Sequence, residues 1–85
     1  MKHAGPEALD RIEDLLVVLR GRRDLREKGR GVFYRKGKAF IHFHEDPAGL
    51  FCDVRPEDQW IRLPVDTAGE WRELMSCIGE DLPRL

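Results

Sequence analysis

The chain has 85 residues, of which 41% are hydrophobic, and a formal net charge of −1, which is enough for one domain with one thin core, burying roughly 60% of its unfolded surface. No apolar run approaches the roughly 20 residues that span a bilayer, two cysteines make no disulfide framework, and Met1–Asp14 lacks the apolar block of a signal peptide, so the chain reads as a soluble cytoplasmic domain with no membrane partner. Charge is unevenly placed: residues 20–38 hold nine basic residues against two acids, and residues 39–85 hold ten acids against four arginines.

Met1–Gly5 reads as a loose tail. Pro6 suits a first helical position, where its missing N–H costs nothing, and Glu7 and Asp10 favour the positive end of the helix dipole. Leu9, Ile12, Leu15, Leu16 and Leu19 recur at three- and four-residue spacing, and Gly21 is a plausible stop. Residues 6–20 are therefore expected to form one amphipathic helix. Residues 21–31, with three glycines, dense charge and a single apolar residue (Leu25), are expected to form a loop.

Val32–Arg35 and Ala39–His44 read as strands joined by a two-residue turn at Lys36-Gly37, where glycine tolerates positive φ. That turn sets Val32 across from Ile41 and Phe33 across from Phe40. The cluster Glu45-Asp46-Pro47-Ala48-Gly49 is a turn signal. Leu50–Arg55 is a third strand, Pro56–Gln59 another turn, and Trp60–Leu63 a short fourth strand closed by Pro64. Thr67 and Glu70 have capping-box spacing, and Trp71, Leu74, Met75 and Ile78 give one apolar face up to Gly79. Residues 68–78 are thus a second helix, and 80–85 a loose tail. The expectation is a single α+β domain over residues 1–85: a four-stranded antiparallel meander flanked in sequence by two helices packed on one face, in the order α-β-β-β-β-α.

Alternation along strands sorts side chains onto two faces. Val32, Tyr34, Ala39, Ile41, Phe43, Leu50, Cys52 and Val54 form a smooth apolar face, expected under the helices, with Cys52 and Cys77 as buried free thiols. Phe33, Arg35, Phe40, His42, His44, Phe51, Asp53 and Arg55 fall on the other. Pairing of the middle strands can set His42 across from Asp53 and His44 across from Phe51. Two helices cannot cover both faces, so Phe33, Phe40 and Phe51 are expected to be exposed. Together with His42, His44 and Asp53 they make a candidate binding surface, and a homodimer through that surface is the expected partner. Trp60 and Trp71 read as buried packing anchors.

Three kinds of chemistry can be attached to these residues. His42 and His44 form His-x-His on one strand face, a pair that can reach one transition metal, with Asp53, Glu45 or Asp46 as a third ligand. The same imidazoles beside Asp53 suit an acid–base role, with Ser76 and Cys77 too distant to serve as nucleophile. Arg22, Arg23, Arg26, Lys28 and Arg30 could bind an anion, and Gly29-Arg30-Gly31 could present backbone N–H groups to it. A nucleic-acid partner is disfavoured by the acidic second half. The GxxxxGK[ST] spacing of a phosphate-binding loop is absent, and no cofactor is expected; the small-molecule ligand is not identified by any motif.

The stretch Gly37-Lys38-Ala39-Phe40-Ile41-His42-Phe43-His44, with Gly49-Leu50-Phe51 and Asp53 behind it, resembles the small uncharacterised bacterial luciferase-like α/β domain family, which carries a related histidine-rich strand before an acidic, glycine-containing turn. It is also similar to YjbR-type small domains, which pack helices on an antiparallel sheet. The similarity covers about residues 31–75. It implies an α+β domain and no set of catalytic residues. The leading functional expectation is a self-associating or protein-interaction module acting through the outer sheet face. The alternatives are a metal-dependent or acid–base enzyme using His42, His44 and Asp53, and an accessory nucleic-acid binder using the basic segment.

Overall fold

The structure, a computed structural model, describes residues 1–79; the tail expected over 80–85 lies outside them. Nine elements follow one another: β1 (Lys2–His3), α1 (Pro6–Arg11), α2 (Glu13–Arg20), β2 (Arg26–Gly29), β3 (Val32–Arg35), β4 (Lys38–Asp46), β5 (Gly49–Val54), β6 (Ile61–Pro64) and α3 (Ala68–Cys77). The sheet has six antiparallel strands in the order β2-β3-β4-β5-β6, with β1 paired to β4. The four-stranded α-β-β-β-β-α expectation is therefore corrected to six strands and three helices.

Each addition has a local cause. Lys2 and His3 pair with Glu45 and His44 along the half of β4 that β3 leaves open, since β3 pairs only with residues 38–41. Ala4 N–H donates to the Phe43 carbonyl at 3.0 Å and Gly5 N–H to Glu45 Oε2 at 2.6 Å, so the expected loose tail over residues 1–5 is an edge strand and helix cap. Strand β2 is a charged edge, Arg26-Glu27-Lys28, paired to β3. Charge on an edge strand guards against pairing with another chain, and it also hides the strand from any reading of apolar alternation. The single helix expected over residues 6–20 is broken at Ile12 (φ −114°, ψ 20°), whose side chain is buried.

The predicted turn at Lys36-Gly37 is present, with φ of 52° and 79°. Beyond it the expected register fails. Phe33 pairs with Ile41 and Tyr34 with Ala39, so β4 carries one extra residue, Phe40, in that interval. This bulge moves Phe33 to the apolar side, where it is 0% exposed, and leaves Phe40 in the core cluster at 4%. Neither belongs to an exposed aromatic surface, and the expected homodimer loses the patch it was argued from. Among the described residues, the large apolar side chains that do face solvent are Met1, Val17, Val18, Trp60 and Ile61.

One core results. Leu9, Ile12, Leu15, Leu16 and Leu19 of the N-terminal helices and Leu74, Met75 and Ile78 of the C-terminal segment join Phe33, Ile41, Phe43, Leu50, Cys52 and Val54 of the sheet. Burial pushes the Cys52 thiol well up, so it packs as an inert small side chain. The capping box on α3 is complete, with Glu70 N–H donating to Thr67 Oγ1 and the Glu70 carboxylate accepting from Thr67 N–H. Among the described residues no helix is long and apolar enough to cross a membrane. The opposite sheet face carries His42, His44 and Asp53, which form the site described next.

Candidate metal centre

Strand β4 alternates, so His42 and His44 emerge on the face opposite Ile41 and Phe43. The β4–β5 register is the one expected from sequence: His42 pairs with Asp53 and His44 with Phe51. The sequence did not indicate the third imidazole. His3 pairs directly with His44 through β1, which places it on the same face. The ring centres of His3 and His44 lie 4.8 Å apart, those of His42 and His44 4.8 Å, and those of His3 and His42 5.8 Å. One ring nitrogen from each of the three can be chosen so that all lie within 4.8 Å of one another.

Behind the imidazoles stands a fixed carboxylate. Arg62 on β6 pairs with Asp53 across the ladder, and its guanidinium grips the carboxylate with both ends, Nε to Oδ1 at 2.7 Å and an Nη to Oδ2 at 2.9 Å. The hydrogen bonds from Arg62 hold the Asp53 carboxyl below the usual aspartate value, against the effect of burial. Asp53 Oδ2 is 3.1 Å from His44 Nε2, and His44 Nε2 is 2.9 Å from His42 Nδ1. With Asp53 ionised, one tautomer makes both contacts attractive: the proton sits on His44 Nε2, shared between the carboxylate and a bare His42 Nδ1. His42 Nδ1 is thereby held unprotonated, its lone pair turned toward the centre of the cluster where it accepts from His44. Its pKa is lowered from 6.5, first by burial and then by the neighbouring charge of His44, with Asp53 acting the other way. A ring that resists protonation near neutral pH is suited to ligating a metal.

Trp60 closes one side of the cluster. Its ring centre is 4.8 Å from that of His42, and the Arg55 guanidinium lies 4.8 Å above it on the Trp60 ring. Trp60 is 43% exposed, so it is a flanking surface residue and not the buried anchor expected. Trp71 is the one that packs against the core, its Nε1–H donating to the Val65 carbonyl at 2.8 Å.

Of the expected surface, His42, His44, Phe51 and Asp53 share this region, while Phe33 and Phe40 have left it. Glu45 and Asp46, considered as third ligands, are engaged elsewhere: Glu45 accepts from Gly5 N–H, and Asp46 from Ala48 N–H at 3.0 Å. Arg62 was legible in principle. A four-residue turn at Pro56–Gln59 sets Arg55 opposite Trp60, and continuing that ladder sets Asp53 opposite Arg62. His3 had no such signal, because a two-residue edge strand shows no periodicity.

Comparison of the chain with family models, with curated proteins and with solved structures gives no match.

Proposed function

We propose that this domain binds one divalent transition metal ion through His3, His42 and His44, with Asp53 and Arg62 as the supporting layer. The observation that carries this reading is the convergence of three imidazoles, drawn from two strands distant in sequence, on ligand atoms within 4.8 Å. An all-imidazole set suits zinc, copper, nickel or iron and disfavours magnesium or calcium, which take oxygen ligands. Three protein ligands leave a coordination position for water or a small ligand, the pattern of catalytic and not of closed structural zinc sites. A carboxylate that orients a ligating histidine is the common arrangement behind such sites, and its loss typically costs about 10–100-fold in metal affinity. The ligating ring nitrogens must be unprotonated, so affinity falls as pH falls and the imidazoles become charged. Kinship with the luciferase-like domains is proposed on the same strand, since that family shares a histidine-rich strand before an acidic turn.

The test is elemental analysis and zinc titration of protein freed of any affinity tag. One metal per chain is expected in the wild type, none in a His42→Ala/His44→Ala variant, and affinity lowered about 10–100-fold in Asp53→Asn. Wild-type protein that retains no zinc, copper, nickel or iron after stoichiometric loading and desalting overturns the proposal. So does equal retention by the double variant.

A further inference from the structure

The fold divides the basic run 20–38 into two sets. Arg20 is bound to Glu13 and Glu27, Arg22 to Asp24, and Arg30 to Asp10 and Glu13, while Arg35 lies 3.5 Å from Asp24. Two of the five expected anion-binding residues, Arg22 and Arg30, are therefore already satisfied by carboxylates of this chain. Arg23, Arg26, Lys36 and Lys38 make no ion pair among the described residues, and Lys28 is held only over the Tyr34 ring, 4.8 Å from its centre.

Four of these five cations face one place. Arg23, Arg26, Lys28 and Lys36 line a depression of about 470 Å3 between the strand β2 edge and the β3–β4 turn, with Tyr34 in its wall. The acid in that lining, Asp24, has both carboxylate oxygens occupied by the Arg22 guanidinium at 2.8–2.9 Å. Among the described residues, the cavity thus presents four positive charges, and the one carboxylate of its lining is already paired with Arg22. Lys38, just beyond it, belongs to a different depression.

We infer that this depression binds a phosphate-bearing anion carrying at least two phosphoryl groups. Two guanidinium groups match phosphate oxygens in geometry as well as charge. Four convergent cations are more than one monoanion such as chloride or acetate can neutralise. The volume is ample for a diphosphate. The site shares no residue with the histidine cluster and does not depend on the metal reading.

The probe is inorganic pyrophosphate, titrated at roughly physiological ionic strength, where long-range attraction is screened to about 8 Å. Backbone amide NMR localises the response. Saturable shifts confined to residues 23–28 and 34–37 are expected, with pyrophosphate binding at least about tenfold more tightly than inorganic phosphate. Arg26→Glu should weaken binding by about tenfold or more, and Lys38→Glu, an equal charge change outside the depression, by less than about threefold. Circular dichroism of both variants verifies folding. A single-stranded oligonucleotide is the second arm: binding to it that requires the same residues identifies a phosphodiester backbone as the source of the phosphates. Oligonucleotide binding with no saturable pyrophosphate binding overturns the inference in favour of a diffuse polyelectrolyte surface. Equal loss in Arg26→Glu and Lys38→Glu, or pyrophosphate shifts centred on the histidines, overturns it as well.

Discussion

At the scale of single residues, Asp53 of the site and Glu27 of the scaffold are used in the same way: each is fixed by an arginine and then positions something else. Asp53 is fixed by Arg62 and directs the His44 proton. Glu27 is fixed by Arg20 of α2, at 2.5 and 3.2 Å, and accepts from Gly31 N–H at 2.8 Å. It therefore joins α2, strand β2 and the β2–β3 turn. Burial pushes the Glu27 carboxyl up, but the Arg20 guanidinium and the Gly31 amide outweigh it, and its pKa lies below the ordinary 4.5. The sign of the linkage follows from that depression. The unfolded chain binds this proton more readily than the folded one, so Glu27 stabilises the fold above about pH 4.5 and the contribution disappears as pH falls through the lower folded value. Urea midpoints measured from pH 7 to pH 3 should fall more steeply below about pH 4.5 in the wild type than in Glu27→Gln. Parallel curves for the two proteins would show that Arg20 and Gly31 do not act on this group.

At the scale of elements, what could be read from sequence was whatever a short-range chemical rule dictates. The Lys36-Gly37 turn needs two positive φ values and has them. Thr67 and Glu70 satisfy each other's backbone donors as their spacing requires. The β4–β5 register follows from the alternation of Ile41, Phe43, Cys52 and Val54 against His42, His44 and Asp53. What could not be read depends on tertiary pairing. Strands β1 and β2 are edges with no apolar face of their own, and the extra residue at Phe40 is a feature of the ladder that leaves no local trace. That bulge decides the fate of two phenylalanines and so decides that the open face is a histidine–carboxylate surface and not an aromatic one. Two of the three proposed ligands were legible because β4 is long and alternating; the third was hidden because β1 has two residues. The locally encoded elements should also respond locally. Thr67→Ala removes the acceptor for Glu70 N–H and should cost about 1 kcal/mol, read as a shift in urea midpoint with an unchanged slope. A change in the slope, or no shift at all, would show that the cap does not stabilise α3 in that way.

At the scale of the whole molecule, size sets the terms. A chain of 85 residues has one thin core, and small domains often add a metal or a crosslink to a core that is marginal by itself. The proposed metal would bridge β1 to β4, the strand that contacts β1, β3 and β5 and so occupies the middle of the sheet. His3 is exposed and belongs to an edge strand, so His3→Ala should leave the metal-free protein within about 0.5 kcal/mol of wild type. With metal the two proteins should diverge. A ligand that binds only the folded state at 100 times its dissociation constant adds about 2.7 kcal/mol, and for a domain of this size that corresponds to a rise of roughly 10–20 °C in Tm. Thermal melts with and without zinc should therefore show that rise in the wild type and most of it lost in His3→Ala, while their chelated melts superimpose. Equal zinc-induced shifts in both would remove β1 from the site and leave a two-histidine site on β4. Divergent chelated melts would instead assign His3 a structural contribution to the pairing of β1 with β4.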